Sequence, residues 1–222
     1  MIKAVIFDVD GTLIDSVDFH ARAWQDAFRE FGHEIDLAKI RGQIGKGGDQ
    51  LMPVFLSKDE LHAIADKLDE RRGTILHERY LAKIKAFPEV RALFQRILKD
   101  GKQILLASSA KGEDLQTYKE LARIEDLLDA ETSSDDADKS KPHPDIFQAA
   151  MSKLPGVEPD QTIVIGDTPY DAEAAGRAGL RAIGVRCGGW PDGALKQAGC
   201  IAVYRDPADL LAHYDASPLA TL

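Results

Sequence analysis

A chain of 222 residues with 44% hydrophobic and 29% charged side chains has enough apolar material for a packed core, which excludes an intrinsically disordered segment. Its formal net charge of -9 repels polyphosphate backbones, so nucleic acid is excluded as a sequence-independent partner and any anionic ligand must find a local positive site. The two cysteines, Cys187 and Cys200, lack metal-ligand or CxxC spacing and read as free thiols of a reducing compartment.

The first predicted element is the apolar run 2–7, too short for a signal peptide and stopped at once by acidic residues. No stretch is long enough to span a bilayer, so no membrane partner and a cytoplasmic location are expected. The segment 16–85 then reads as entirely helical. Val17, Ala21, Trp24, Phe28 and Phe31 fall at helical spacing behind Asp15 and Ser16, which can cap the helix start. Ser57 and Glu60 have capping-box form ahead of a second apolar stripe, Leu61, Ile64 and Leu68. Between these helices a glycine-rich loop follows Gly42 and includes Lys46, either a plain hinge or a contact for phosphate or carboxylate.

Further Val- and Ile-rich runs follow at 103–107, 162–165, 181–185 and 201–203, separated by helical patterns that end on glycines such as Gly101 and Gly179. Nearly continuous hydrophobicity implies strands covered on both faces, and the alternation predicts a doubly wound parallel α/β sheet. The expected organisation is a sheet domain of residues 1–15 and 86–222, interrupted by a helical module of residues 16–85. Residues 217–222 are expected to fray.

Chemistry-bearing residues gather where these strands end, which is where open parallel sheets bind ligands. After the first strand comes Asp8-Val-Asp10-Gly11-Thr12. Two acids at alternating positions repel one another unless a cation or substrate uses them. Ser108 and Ser109 follow the second long strand, as phosphate-binding hydroxyls or a helix cap. Lys141 lies in a proline-stiffened loop, and Asp167 and Asp171 follow the run 162–165.

These four motifs, in this order, resemble those of the haloacid dehalogenase superfamily, in particular members with a helical cap between the first two motifs, such as phosphoglycolate phosphatases and β-phosphoglucomutases. The resemblance implies a Rossmann-like sheet of strand order 3-2-1-4-5, with Asp8 and Asp167 on neighbouring strands. It implies a Mg²⁺-dependent phosphatase acting on a small-molecule phosphate ester, as a monomer or weak homodimer. By this resemblance Asp8 is the nucleophile and Asp10 the general acid and base. Mg²⁺ is held by Asp8, the Asp10 carbonyl and Asp167. Lys141 balances charge, and Asp171 either reaches the metal through water or orients Lys141. Ser108, Ser109 and the Gly11–Thr12 backbone are expected to bind phosphate oxygens. Gln43, Lys46, His20 and Arg41 are expected to select the leaving group, His20 either facing the site or packing beside Trp24. A phosphomutase of the β-phosphoglucomutase type remains the alternative, disfavoured by Gly166-Asp167-Thr168 and by a lysine in place of an arginine in the cap loop. A non-catalytic phospho-acceptor module is a third reading, and such modules lack an inserted cap.

Overall fold

The computed structural model describes residues 1–110, 112–133 and 136–222. In chain order its strands are β1 (Ala4–Phe7), β2 (Ile14–Asp15), β3 (Lys85–Ala86), β4 (Gln103–Ala107), β5 (Ala130–Thr132), β6 (Thr162–Gly166), β7 (Arg181–Val185) and β8 (Cys200–Tyr204). Six of them form one parallel sheet in the order β5-β4-β1-β6-β7-β8. The first five sheet strands in sequence thus follow the expected order, and β8 extends the sheet by one. Sequence reading counted the run at 201–203 but missed β5, whose three residues Ala-Glu-Thr carry no apolar run and sit at the sheet edge.

Every residue of β1 is buried, because helices cover both faces of the central strand. Val5 and Phe7 join one apolar core, Ala4 and Ile6 the other, the period-2 alternation of a strand sorting them to opposite sides. Phe7 stacks on Phe94 with ring centroids 4.7 Å apart. Register fixes the site: Phe7 pairs with Leu106 on one side and Ile165 on the other, so β1, β4 and β6 end level. The next residues of all three strands, Asp8, Ser108 and Asp167 among them, emerge at one sheet edge.

The helices are α1 (Val17–Glu30), α2 (Leu37–Arg41), α3 (Gly48–Leu51), α4 (Lys58–Ile75), α5 (Val90–Lys99), α6 (Gly112–Ala122), α7 (Asp145–Ser152), α8 (Pro169–Arg177), α9 (Asp192–Gln197), α10 (Pro207–Ala212) and α11 (Pro218–Thr221). Among the described residues no strand lies between β2 and β3. Those two short strands pair antiparallel, Ile14 with Ala86 and Asp15 with Lys85, so the chain enters and leaves the helical segment at one point. The Ser57–Glu60 capping box at α4 forms as expected. Ser16 does not cap α1: it occupies the N-cap position, but its hydroxyl donates to Asp10 at 2.5 Å. The carboxylate is the stronger acceptor, and it diverts the hydroxyl from the helix end. The expectation of a frayed tail is corrected as well. Ser217 is fully buried and Leu219 is 1% exposed, because α11 packs its apolar side onto the core beside Tyr214. Among the described residues no helix is long and apolar enough to cross a membrane.

Candidate active site

The turn after β1 is held by its own backbone: Leu13 and Ile14 donate to Val9 O, and Gly11 donates to Ile14 O at 2.8 Å. Gly11 has φ +79, and a Cβ there would lie 2.5 Å from Asp167 Oδ2, so both the backbone conformation and the space demand glycine. Gly188 closes on the same carboxylate from the other side, where a Cβ would come within 1.6 Å of Asp167 Oδ2. Asp167 is thus cradled between two bare backbones. Its Oδ1 accepts a hydrogen bond from Thr12 Oγ1 at 3.1 Å, while Oδ2 is buried with no hydrogen-bond partner.

Lys141 is 1% exposed and reaches Asp8 Oδ1 at 2.5 Å and Asp171 Oδ1 at 2.8 Å. Thr12 Oγ1 also lies 3.1 Å from Asp8 Oδ2, so one hydroxyl bridges two carboxylates. Asp171 is fixed from behind: its Oδ2 accepts from the Thr168 hydroxyl at 2.6 Å and the Thr168 amide at 3.0 Å, in a capping box that starts α8.

Of three clustered buried carboxylates, Asp8 and Asp171 therefore contact the one ammonium and Asp167 does not. Burial drives the Asp8 carboxyl up to about 7, with Asp171 adding to the rise and Lys141 opposing it. Burial, Asp171 and Asp8 likewise raise Asp167 well above the ordinary carboxylate range. Burial disfavours the Lys141 ammonium, but Asp171 and Asp8 outweigh it and raise its pKa. The cluster suits a cation. Carboxylate oxygens of Asp8, Asp167 and Asp171 lie within 4.8 Å of one another, one of the buried oxygens is orphaned, and an all-oxygen donor set is the hard kind that Mg²⁺ prefers.

The Asp10 carboxylate turns away from this cluster. It accepts from Ser16 Oγ at 2.5 Å and meets His20 Nε2 at 2.9 Å, and Tyr118 OH lies 3.3 Å from the same nitrogen. Burial pushes the Asp10 carboxyl up, but attraction to His20, hydrogen bonds from His20 and Ser16, and Lys141 together hold it below its ordinary value. Of the metal ligands read from sequence, Asp10 is therefore left with its backbone carbonyl alone.

A cavity of about 550 Å³ opens above these groups. Asp8, Asp10, Ser108, Ser109, His20 and Lys46 line it, while the buried Lys141, Asp167 and Asp171 do not. Ser108 is fully buried and its Oγ accepts from the Ala110 amide at 3.0 Å, which leaves its O–H to donate. His20 faces the site. Gly11, Thr12 and Gln43 do not line the cavity: the Gly11 amide is taken by Ile14, the Thr12 amide by Val9 O, and Gln43 accepts from Lys46 Nζ at 2.6 Å. Thr12 acts on the carboxylates instead. Lys46 packs its ammonium 4.6 Å from the centroid of the Tyr170 ring, and burial lowers its pKa despite Glu173. Arg41 bonds Asp18 at 2.6 Å and Gly188 O at 3.1 Å.

Sequence reading missed Tyr118, ninety-eight positions from His20 with no motif around it. It also missed Gly188, although a glycine pair just beyond the end of β7 is a detectable signal. Replacing Gly188 by Ala should displace the Asp167 carboxylate and cost about 100-fold in activity, as roughly an ångström of misplacement does, while far-ultraviolet circular dichroism stays native. Unchanged activity would show that Asp167 tolerates movement.

The family model for haloacid dehalogenase-like hydrolases matches residues 5–185. The phosphoglycolate phosphatase of Nitrosospira multiformis is 30% identical over 184 residues, covering 80% of each chain. Protein SUPPRESSOR OF QUENCHING 1, chloroplastic, of Arabidopsis thaliana is 32% identical over 190 residues, 83% of this chain, which spans only 18% of that longer protein. The crystal structure of a hydrolase from Pseudomonas syringae superposes with a TM-score of 0.87 at 30% identity, covering 96% of this chain and 98% of the other.

Proposed function

The chain belongs to the haloacid dehalogenase-like hydrolases, and from that premise we propose that it is a Mg²⁺-dependent phosphatase that hydrolyses small-molecule phosphate monoesters through an aspartyl-phosphate on Asp8. The observation that carries this reading is the buried Asp8–Lys141 pair beside the orphaned oxygen of Asp167, directly beneath a cavity that Asp10 also reaches.

Asp8 is the nucleophile. Lys141 on Oδ1 and Thr12 on Oδ2 fix the plane of its carboxylate, so attack on phosphorus starts from one orientation. Asp171 holds the ammonium of Lys141 in place and so acts through it. Asp8, Asp167 and the Asp10 carbonyl would hold Mg²⁺, which when bound supplies the positive charge that lets an anionic phosphoryl group approach buried carboxylates. Asp10 is ionised in the observed arrangement, the form that takes a proton from the attacking water. For the first step Asp10 must carry the proton that it gives to the leaving oxygen, and His20 Nε2, 2.9 Å from its carboxylate, is the group placed to exchange one with it. The Ser108 hydroxyl donates to a phosphate oxygen.

Residues 16–85 serve as a cap over a core of residues 1–15 and 86–222. The cap meets the core through Gly47 N to Ser140 Oγ at 2.9 Å and Tyr170 OH to Gly42 O at 2.6 Å, contacts that shield the reaction from water. A phosphomutase would use the same cluster with a sugar hydroxyl as acceptor. Lys46, the cation of the cap loop, is already engaged by Gln43 and Tyr170, which favours water as the acceptor.

Purified protein should turn over p-nitrophenyl phosphate repeatedly with Mg²⁺ and stop when the ion is chelated. A single stoichiometric phosphorylation would support a phospho-acceptor module instead. Metal affinity should also depend on pH. Asp8 and Asp167 bind protons more tightly in the fold than unfolded, so in metal-free protein the stability they give is present in acid and lost as pH rises through about 7. Mg²⁺ competes with those protons. It should therefore raise the melting temperature more at pH 8 than at pH 5.5, and an equal rise at both would contradict binding at these carboxylates.

A further inference from the structure

We infer that the leaving group of this reaction carries no negative charge and is hydroxyl-rich, a polyol or sugar-like alcohol, and this rests on the phosphatase reading above. Beyond the carboxylate cluster the cavity lining is predominantly acidic. There Arg72 pairs with Asp69 at 2.9 Å and His77 with Asp114 at 2.5 Å, so each basic group is already matched by an acid. Asp49, Glu70, Glu78, Glu113 and Asp138 also line the cavity, Glu78 lying 3.7 Å from Arg71 outside the lining and Asp49 accepting from Ser140 N and Gln50. Apart from Arg72, His77 and His20, each already facing an acid, the only basic group in the described lining is Lys46, which Gln43 and the Tyr170 ring already hold.

A second anionic group on the substrate, such as a carboxylate or another phosphate, would enter this excess of like charge. Ionised carboxylates are acceptors only, whereas alcohol hydroxyls are donors, so a hydroxyl-bearing leaving group satisfies the wall without repulsion. Size agrees with this. A cavity of about 550 Å³ lies within the usual range of small-molecule pockets and leaves room for more than a two-carbon acid. The 30% identical relative is named for phosphoglycolate, an acid that this wall disfavours.

The test is a series in which only the terminal charge changes: 2-phosphoglycolate, 2-hydroxyethyl phosphate and phosphoethanolamine, with a hexose 6-phosphate added and p-nitrophenyl phosphate as reference. The phosphoryl charge is common to all and cancels in ratios of kcat/KM. At low ionic strength 2-hydroxyethyl phosphate should exceed 2-phosphoglycolate by about tenfold or more, and the gap should narrow as salt screens the wall. The hexose phosphate should exceed both. Glu113 and Asp138 are exposed, so a Glu113→Gln, Asp138→Asn double variant should fold and narrow the same gap. A preference for 2-phosphoglycolate or pyrophosphate, or a gap that neither salt nor the double variant changes, overturns the inference. If p-nitrophenyl phosphate and every ester are inert, the phosphatase reading itself has failed, a result distinct from a reversed preference.

Discussion

Asp8→Asn should abolish turnover, by at least about 10⁴-fold as when other covalent nucleophiles are removed, in a protein that stays folded. An amide cannot attack phosphorus, yet its oxygen can still accept the hydrogen bond from Lys141. The stability side follows from the sign of the Asp8 shift. Its carboxyl is raised by burial to about 7, so ionising it at pH 8 works against the fold. Without Mg²⁺ the variant should therefore melt at or above the wild-type temperature at pH 8. Calorimetry and a p-nitrophenyl phosphate assay separate the two effects. Lost activity with a large fall in melting temperature would make Asp8 structural, and retained activity would remove it from the chemistry.

Lys141→Met should lose both activity and stability. The substitution leaves Asp8, Asp167 and Asp171 in one buried pocket without their cation, and breaking a buried ion pair from one side costs about 3–5 kcal/mol. At this chain length that lowers the melting temperature by roughly 6–20 °C. The Lys141 pKa is raised in the fold, so its stabilising effect is fully present at pH 8 and is lost only as pH rises above the ordinary lysine range. Acid should partly rescue the variant, because protonating the carboxylates relieves their repulsion. Turnover should fall by about 10²–10³-fold even where the variant is folded, as when one preorganised electrostatic partner is lost. A melting temperature equal to wild type at pH 8 would mean that water or an ion already screens the cluster.

Much of this arrangement was legible because its signals are local. Nearly continuous apolar residues in β1, β4, β6 and β7 read as strands covered on both faces, and acids or hydroxyls just beyond their ends then share one edge. Asp8, Ser108, Asp167 and Asp171 were found in this way, and Lys141 through its proline-stiffened loop and the family resemblance. The hidden parts depend on packing between distant segments. His20 meets Asp10 within one stretch of chain, but whether it turned to the acid or to Trp24 is decided by where α1 sits over the sheet. Tyr118 joins that pair only because α6 follows β4 at the same edge. Thr12 looked like a phosphate ligand, and only the depth of the turn shows its hydroxyl bridging two carboxylates. β5 escaped because an edge strand of three residues can be polar, and the tail was misread because burial of Leu219 depends on a surface that α10 and Tyr214 complete.

The most direct test of the central claim is to quench the enzyme in acid during turnover of a phosphate ester with Mg²⁺ and map the phosphoryl group by mass spectrometry. The peptide containing Asp8 should carry it in the wild type and lack it in Asp8→Asn. Steady turnover with no trapped phosphoryl group, or with the group on any other residue, would contradict the account.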